Sequence, residues 1–459
     1  MQDFFEGGDI SVFAKSNVDD GESLDTYDNK TGLFTDNSDP FDNYELYLKG
    51  SLYDFSGVIR FQGRESNRFY SSNLVGINAN HWDTNLFYID VEYDTSLSKR
   101  FDVSASVFYT KSTTENDANI TFSPFLGHEN KRVLAEGGGY LRLKYEDNNG
   151  RNGLFGYEYR RPDIVKARNQ HVGTSNVELI TQVEKPRTIE GVFAQFQDDI
   201  FDNLRYILGA RLDDFSDVGS HFSPRAGLVY SYDDLHTIKL LYGEAFRAPS
   251  RFEVDVSNNP TFEGAENLSP EVSKTWDLVW LYMTNTSLFS TTVFSVTIDD
   301  NIVSAPDPNI SGKLTRINSG TEHISGLEIE WKNEWLPSVS SRFSATYLFD
   351  DAEELTAESR TLLAASVSYI KTDYVVTLTS DFQGAKYDAN NSTKGYSRLG
   401  GRTVHSGKVS YLAVPQTDIY LKVDNITDKF YYSPTQRAAN TFGIPNRGRT
   451  FEVGVNYSF

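Results

Sequence analysis

The nine residues "FRAPSRFEV", Phe246–Val254, carry two side chains suited to molecular recognition. Arg247 and Arg251 stand four apart around Pro249, and a guanidinium meets a carboxylate or phosphate through two parallel hydrogen bonds. Phe252 adds an apolar face beside them. A second stretch, "RESNRFYSSNLVGINANHWDT" (Arg64–Thr84), sets Arg64 and Arg68 among Tyr70 and Trp82. Arginine beside aromatic rings is the composition that recognition surfaces enrich. These seven residues are the candidate ligand contacts.

Catalytic chemistry has no comparable signal. "NISGKLT" contains Gly312-Lys313, but Asp307 stands where a phosphate loop needs glycine, and "EGGGYLRL" opens no helix. His-Glu-x-x-His and Gly-x-Ser-x-Gly are absent. There is no cysteine, so disulfides and thiolate metal sites are excluded, and His81, His128 and His171 show no ligand spacing. The acidic stretch 17–43 holds Asp19, Asp20, Glu22, Asp25, Asp28, Asp36, Asp39 and Asp42 but does not follow the twelve-residue calcium loop. It reads as a solvated loop, with a Ca²⁺ site or divalent bridging to lipopolysaccharide as the alternatives. No enzyme, cofactor or metal centre is expected.

Composition narrows what positions these residues. A net charge of −21 argues against nucleic acid, whose phosphates would be repelled. Mean hydropathy is −0.46 and no apolar run approaches a spanning helix of roughly 20 residues. A barrel that crosses a membrane with alternating strands remains open, since half of each strand is polar. The 27 Tyr and 31 Phe against 2 Met favour strands and supply interfacial aromatics. "MQDFFEGGDISVF" has neither a basic nor an apolar leader region, so no signal peptide is expected.

Period-two alternation runs through the chain. "SGLEIEWKNEW" sets Leu327, Ile329, Trp331 and Trp335 against Glu328, Glu330, Lys332 and Glu334. Short polar turns near Asp54, Ser98, Asn148, Asp202, Asp233, Asn285, Pro337, Thr372 and Gln416 alternate with ten longer connections. The pattern predicts an all-β fold: a transmembrane antiparallel up-and-down barrel of about 20–22 strands, with short periplasmic turns and long extracellular loops. Strands of about 10–14 residues suit a tilted crossing. Lipid-facing charges are costly, so Glu328, Glu330, Lys332, Arg205, Arg211 and Lys239 are expected on the lumen side. Residues 1–459 are expected to form this single domain.

Several stretches resemble the TonB-dependent receptors of Gram-negative outer membranes. "LLYGEAFRAPSRFEV" followed by "ENLSPEVSKTWDL" is similar to that family's FRAP-like box and Asn-Leu-x-Pro-Glu element. "RINSGTEHISGLEIEW", "LKVDNITDKFYY" and "GRTFEVGVNYSF" resemble its Asn-x-Gly, penultimate-strand and closing-strand motifs. The resemblance implies an outer-membrane importer of a scarce nutrient, a ferric siderophore first, driven by TonB through a plug domain. The span "SRFEVDVSNNP" lacks the histidine of haem receptors with a similar box. Strand patterning begins near Ile10, leaving no room for a plug, and the count falls about two short of the family's usual 22. A hairpin hidden in a long loop, or missing from the N-terminus, would make up the difference.

The expected partners are outer-membrane lipid and lipopolysaccharide, a small-molecule metal chelate, TonB only where a plug is present, and the barrel-insertion machinery, with the barrel a monomer. Phe451, Val453, Val455, Tyr457 and Phe459 of the closing strand are expected to face lipid, pair the strand with the first one, and signal to that machinery. The competing readings are a plugless open pore, natural or engineered, and a passive surface receptor used by phage or bacteriocins.

Overall fold

The computed structural model describes residues 7–28, 33–67, 81–118, 127–172, 178–180, 186–259, 262–349, 358–390, 395–412, 414–434 and 444–457. Its architecture follows from the alternation. The wall begins with β1 (Gly8–Asp19), β2 (Phe41–Leu52), β3 (Phe55–Asn67), β4 (His81–Ser98), β5 (Phe101–Ala118), β6 (Gly127–Glu146) and β7 (Asn152–Val172). It continues with β8 (Ile189–Phe201), β9 (Leu204–Phe215), β10 (Gly219–Ser231), β11 (His236–Arg247), β12 (Glu271–Met283), β13 (Ser287–Asp299) and β14 (Thr321–Leu336). The last six are β15 (Val339–Leu348), β16 (Thr361–Lys371), β17 (Tyr374–Gln383), β18 (Arg402–Tyr411), β19 (Thr417–Asp424) and β20 (Thr450–Tyr457). Each strand pairs antiparallel with the next in this order, from β1–β2 through β19–β20. Apart from the three-residue strand Glu178–Ile180, which pairs with the end of β7 at the rim, the wall has twenty strands among the described residues, an even number that sets Gly8 and Tyr457 at the same rim.

All nine expected short turns fall between paired strands. The long connections differ from expectation in two ways. Nearly all the described residues of 64–84, 112–131 and 161–186 are strand, because β4 to β7 run to 18–21 residues and stand above the level a membrane crossing needs. The connection between β9 and β10 is only residues 216–218. Hairpins do occur in the loops, at Leu24–Asp28/Leu33–Asn37, Ile302–Pro306/Leu314–Asn318, Lys386–Asn390/Gly395–Leu399 and Tyr432–Ser433/Ile444–Pro445. Each is a separate two-stranded sheet, so none adds to the wall.

The outer face is an apolar belt with nothing covering it. Val107 is 72% exposed and Val453 75%, values natural for side chains whose solvent is lipid. Near the short turns the belt carries Phe55–Tyr93, Phe101–Tyr145 and Tyr374–Tyr411 ring pairs at 4.8, 5.2 and 5.3 Å. Towards the loops it carries Phe61–Phe87 at 5.1 Å and Tyr242–Trp276 at 4.5 Å. Phe55 and Phe61 share one strand, about 20 Å apart at ~3.3 Å per residue, so two aromatic girdles bracket the belt. Phe451, Val453, Val455 and Tyr457 lie on this face, while Phe459 lies outside the described residues.

The inner face is polar. Glu328, Glu330, Lys332, Arg205, Arg211 and Lys239 all sit on it by alternation. Its charges neutralise one another, across strands in Arg60–Glu45 at 2.8 Å and Arg211–Glu158 at 2.9 Å, and along one strand in Arg160–Glu158 at 3.1 Å and Arg211–Asp213 at 2.6 Å. Glycines let large inner side chains lie flat. A Cβ on Gly454 would meet the Tyr420 ring at 2.3 Å, and the Tyr420 hydroxyl donates to Glu452 at 2.7 Å.

Candidate functional site

Two clusters form at the long-loop rim. The first joins the two edges of the wall. Arg447, just before β20, places Nη1 2.7 Å from Asp19 Oδ2 at the end of β1 and Nε 2.9 Å from Asp39 Oδ2. Its Nη2 donates to the Asp39 carbonyl at 2.8 Å, and the Gly448 N–H donates to Glu22 at 2.8 Å. Burial pulls the Arg447 pKa down, but Asp39 and Asp19 outweigh it and the guanidinium sits above its usual value. Three acids of the first loop thus hold the start of the closing strand, rather than being simply solvated.

Phe41 lies between two arginines of this cluster, with Arg64 4.5 Å and Arg447 5.6 Å from the ring centroid. Arg64 and Trp82 line one cleft of ≈ 340 Å³ with Asp39, Ser66 and Thr84. Neighbouring side chains fix both: Arg64 Nε donates to Ser66 at 3.2 Å and Trp82 Nε1 to Thr84 at 2.9 Å. The cleft offers a cation, an indole face and two hydroxyls to a ligand above the lumen. Arg68 and Tyr70 lie outside the described residues.

The second cluster is built by the FRAP-like box. Pro249 ends β11 and is fully buried, and the chain turns into a short helix, α1 (Arg251–Asp255). Ser250 caps it: the Ser250 N–H donates to Glu253 Oε2 at 2.7 Å and its hydroxyl accepts from the Glu253 N–H at 3.3 Å. Arg247 bridges Glu253 at 2.9 Å and Glu271 at the start of β12. Arg251 bridges Asp217 at 3.1 Å and Asp255 at 2.7 Å. Arg187, its side chain 8% exposed, donates to Asp217 at 2.8 Å and to the Pro249 carbonyl at 2.9 Å. Burial pushes the Asp217 pKa up, yet Arg187 and Arg251 overcome this and hold the carboxyl below its ordinary value. Glu253 is likewise buried and likewise held low, by Arg247 and the Ser250 N–H.

A neighbouring loop braces this lattice. Phe252 packs on Phe262 at 5.8 Å, Arg316 stands 5.1 Å from the Phe262 ring, and Lys313 pairs with Glu263 at 2.6 Å. Asn318, of "RINSG", accepts from the Ser269 N–H at 2.8 Å and donates to the Ser269 carbonyl at 2.9 Å, in "ENLSPE". Two motifs about fifty residues apart are therefore two halves of one contact.

The structure brings Arg247, Arg251 and Phe252 together, and Arg64 with Trp82, in two separate places. It commits the ion pairs of Arg247 and Arg251 to carboxylates of this chain. Sequence reasoning passed over Phe41, Arg187, Asp217 and Arg447, since no local pattern marks a residue whose partner is far along the chain. His128 and His171 also stand opposite each other in the β6–β7 register. Among the described residues no group of three His, Asp or Glu side chains could hold a metal ion.

A wall that is apolar outside and charged inside, with long loops gathered at one rim, defines an outer-membrane β-barrel. The chain belongs to the TonB-dependent receptor-like β-barrel family, whose model matches residues 16–426, and its place is the outer membrane of a Gram-negative bacterium. An iron-regulated outer membrane virulence protein of Vibrio cholerae is 32% identical over 178 residues, 35% of this chain and 27% of that protein. The vitamin B12 transporter BtuB of the same organism is 25% identical over 256 residues, 54% of this chain and 39% of that protein. A mutant of the ferric enterobactin receptor PfeA from Pseudomonas aeruginosa superposes with a TM-score of 0.78 at 14% identity, over 99% of this chain and 76% of that one. The matches span well under half the length of those two curated relatives.

Proposed function

We propose that this barrel is the transport wall of a nutrient receptor, with a ferric siderophore as its first candidate cargo. The cargo is captured at the extracellular rim, and TonB drives its passage through a plug domain acting inside the wall. The observation that carries this reading is the cleft of Arg64 and Trp82, with Arg64 stacked on Phe41, facing the rim of a wide polar lumen. The iron-regulated relative supports the same class of cargo.

The test is a binding panel on the full chain in detergent, read by quenching of its 5 Trp and 27 Tyr. Ferric catecholate, hydroxamate and carboxylate siderophores and cobalamin are the probes. Saturable quenching by one siderophore class, weakened in Trp82→Ala, is the expected result. Quenching by cobalamin alone overturns the iron reading. Quenching by none, together with large, permanently open currents in planar bilayers, favours the plugless pore.

A further inference from the structure

We propose that the cleft between Arg132 and Arg251, inside the barrel near the extracellular rim, is a binding site for a small solute bearing an oxyanion, a carboxylate or phosphate. The site is independent of the receptor reading, since a pore would carry it equally.

The cleft, ≈ 320 Å³, is lined by Thr110 and Ser112 of β5, Arg132 and Glu136 of β6, Ile164 of β7 and Arg251 of α1. Arg251 belongs to the loop between β11 and β12, so that loop reaches across the lumen to strands β5–β7. There it meets a wall that is partly dry: Ile164 is 3% exposed.

Three guanidinium nitrogens in this cleft lack acceptors: Arg132 Nε, Arg251 Nε and Arg251 Nη2 are buried without a hydrogen-bond partner. Such buried donors are rare and call for an explanation. Among the described residues Arg132 also has no carboxylate within ion-pair distance, so its charge is held in a half-buried site with nothing to balance it.

The nearby acids do not serve. Glu136 is engaged by Arg160 Nη1 at 3.5 Å. Asp217 accepts from Arg251 Nη1, and Asp255 lies at ion-pair distance from Nη2 without hydrogen-bonding it, which leaves Nε and Nη2 free to donate. Asp163 also lines the cleft but falls, with its register partner Ala135, on the lipid-side parity of the strands. An oxyanion between the two arginines would accept from both Nε–H groups at once, with the Ser112 hydroxyl as a further donor. The apolar flank of Leu134, Pro162 and Ile164 lowers the local dielectric and strengthens those bonds.

The experiment is calorimetric titration of the full chain, folded in detergent, with citrate, inorganic phosphate and, as a neutral control, sucrose. Heat-modifiable migration on a denaturing gel confirms that each variant is a barrel. Wild type is expected to bind citrate or phosphate saturably and sucrose not at all. Arg132→Gln is expected to weaken that binding at least ten-fold, Arg132→Lys less, and Arg100→Gln, at the opposite rim, not at all. Equal affinity in wild type and Arg132→Gln, or no saturable binding of either anion to wild type, overturns the proposal.

Discussion

Arg447 and Asp19, 428 residues apart in sequence, meet at 2.7 Å and join the last strand of the wall to the first. Elsewhere in the wall, neighbouring strands are successive in sequence and a turn or loop connects them. Here no connection exists, and side chains at the rim hold the edges together. Arg447→Gln removes the contacts to both Asp19 and Asp39. Partly exposed charge-assisted contacts of this kind contribute about 1–2 kcal/mol together. The temperature at which the folded gel band converts to the unfolded one is expected to fall by several degrees. An unchanged temperature would mean that these side-chain contacts do not hold the edges together.

Asp217 stands between Arg187 and Arg251, its own side chain only 14% exposed. Removing its charge leaves the enclosed Arg187 without a carboxylate and Arg251 with Asp255 alone, a loss of about 3–5 kcal/mol for a buried pair. Asp217→Asn is expected to release the loop 248–270 while the wall stays folded. Limited proteolysis reads this as a new cleavage within that loop, and resistance equal to wild type would contradict it.

Acid should release the same loop. Asp217 and Glu253 titrate below their usual values of 3.8 and 4.5 in the folded state. Each therefore adds stability that is complete above its unfolded pKa and is lost as pH falls through the lower, folded one. Proteolytic protection of 248–270 is expected to be constant from neutral pH down to about 5 and to fall below about 4. Loss of protection between pH 8 and 6 would point to other groups.

Leu278 tests which face meets lipid. It lies mid-strand in β12, 52% exposed, between Leu240 and Val293 in register. Leu278→Arg is expected to cost about 2–4 kcal/mol near the bilayer midplane and to lower the folded fraction in vesicles. Thr292→Arg, on the inner face beside Glu328, should leave that fraction nearly unchanged. Equal losses in the two variants would mean that the faces are assigned wrongly.

The chain by itself determined the face of each wall residue and the position of each tight turn. Alternation has a period of two whatever the neighbours are, and turn chemistry is local. Leu327 and Glu328 could thus be sent to opposite sides from "SGLEIEW" alone, and the nine turns found from their polar breaks. The heights of β4 to β7 were not legible, because strand residues beyond the membrane need no apolar face.

Partners were decided by tertiary structure. Arg251 looked like a free ligand contact until the loop 248–270 folded inward and set it against Asp217. Arg447 carried no signal until the fold brought the residues just before β20 to the end of β1. Arg132 carries no local signal either, and only the same loop sets Arg251 beside it in one cleft. An ion pair needs two groups within a few ångströms, and in a closed sheet that distance is fixed by register and by where the loops come to rest. No short-range pattern in the sequence encodes either.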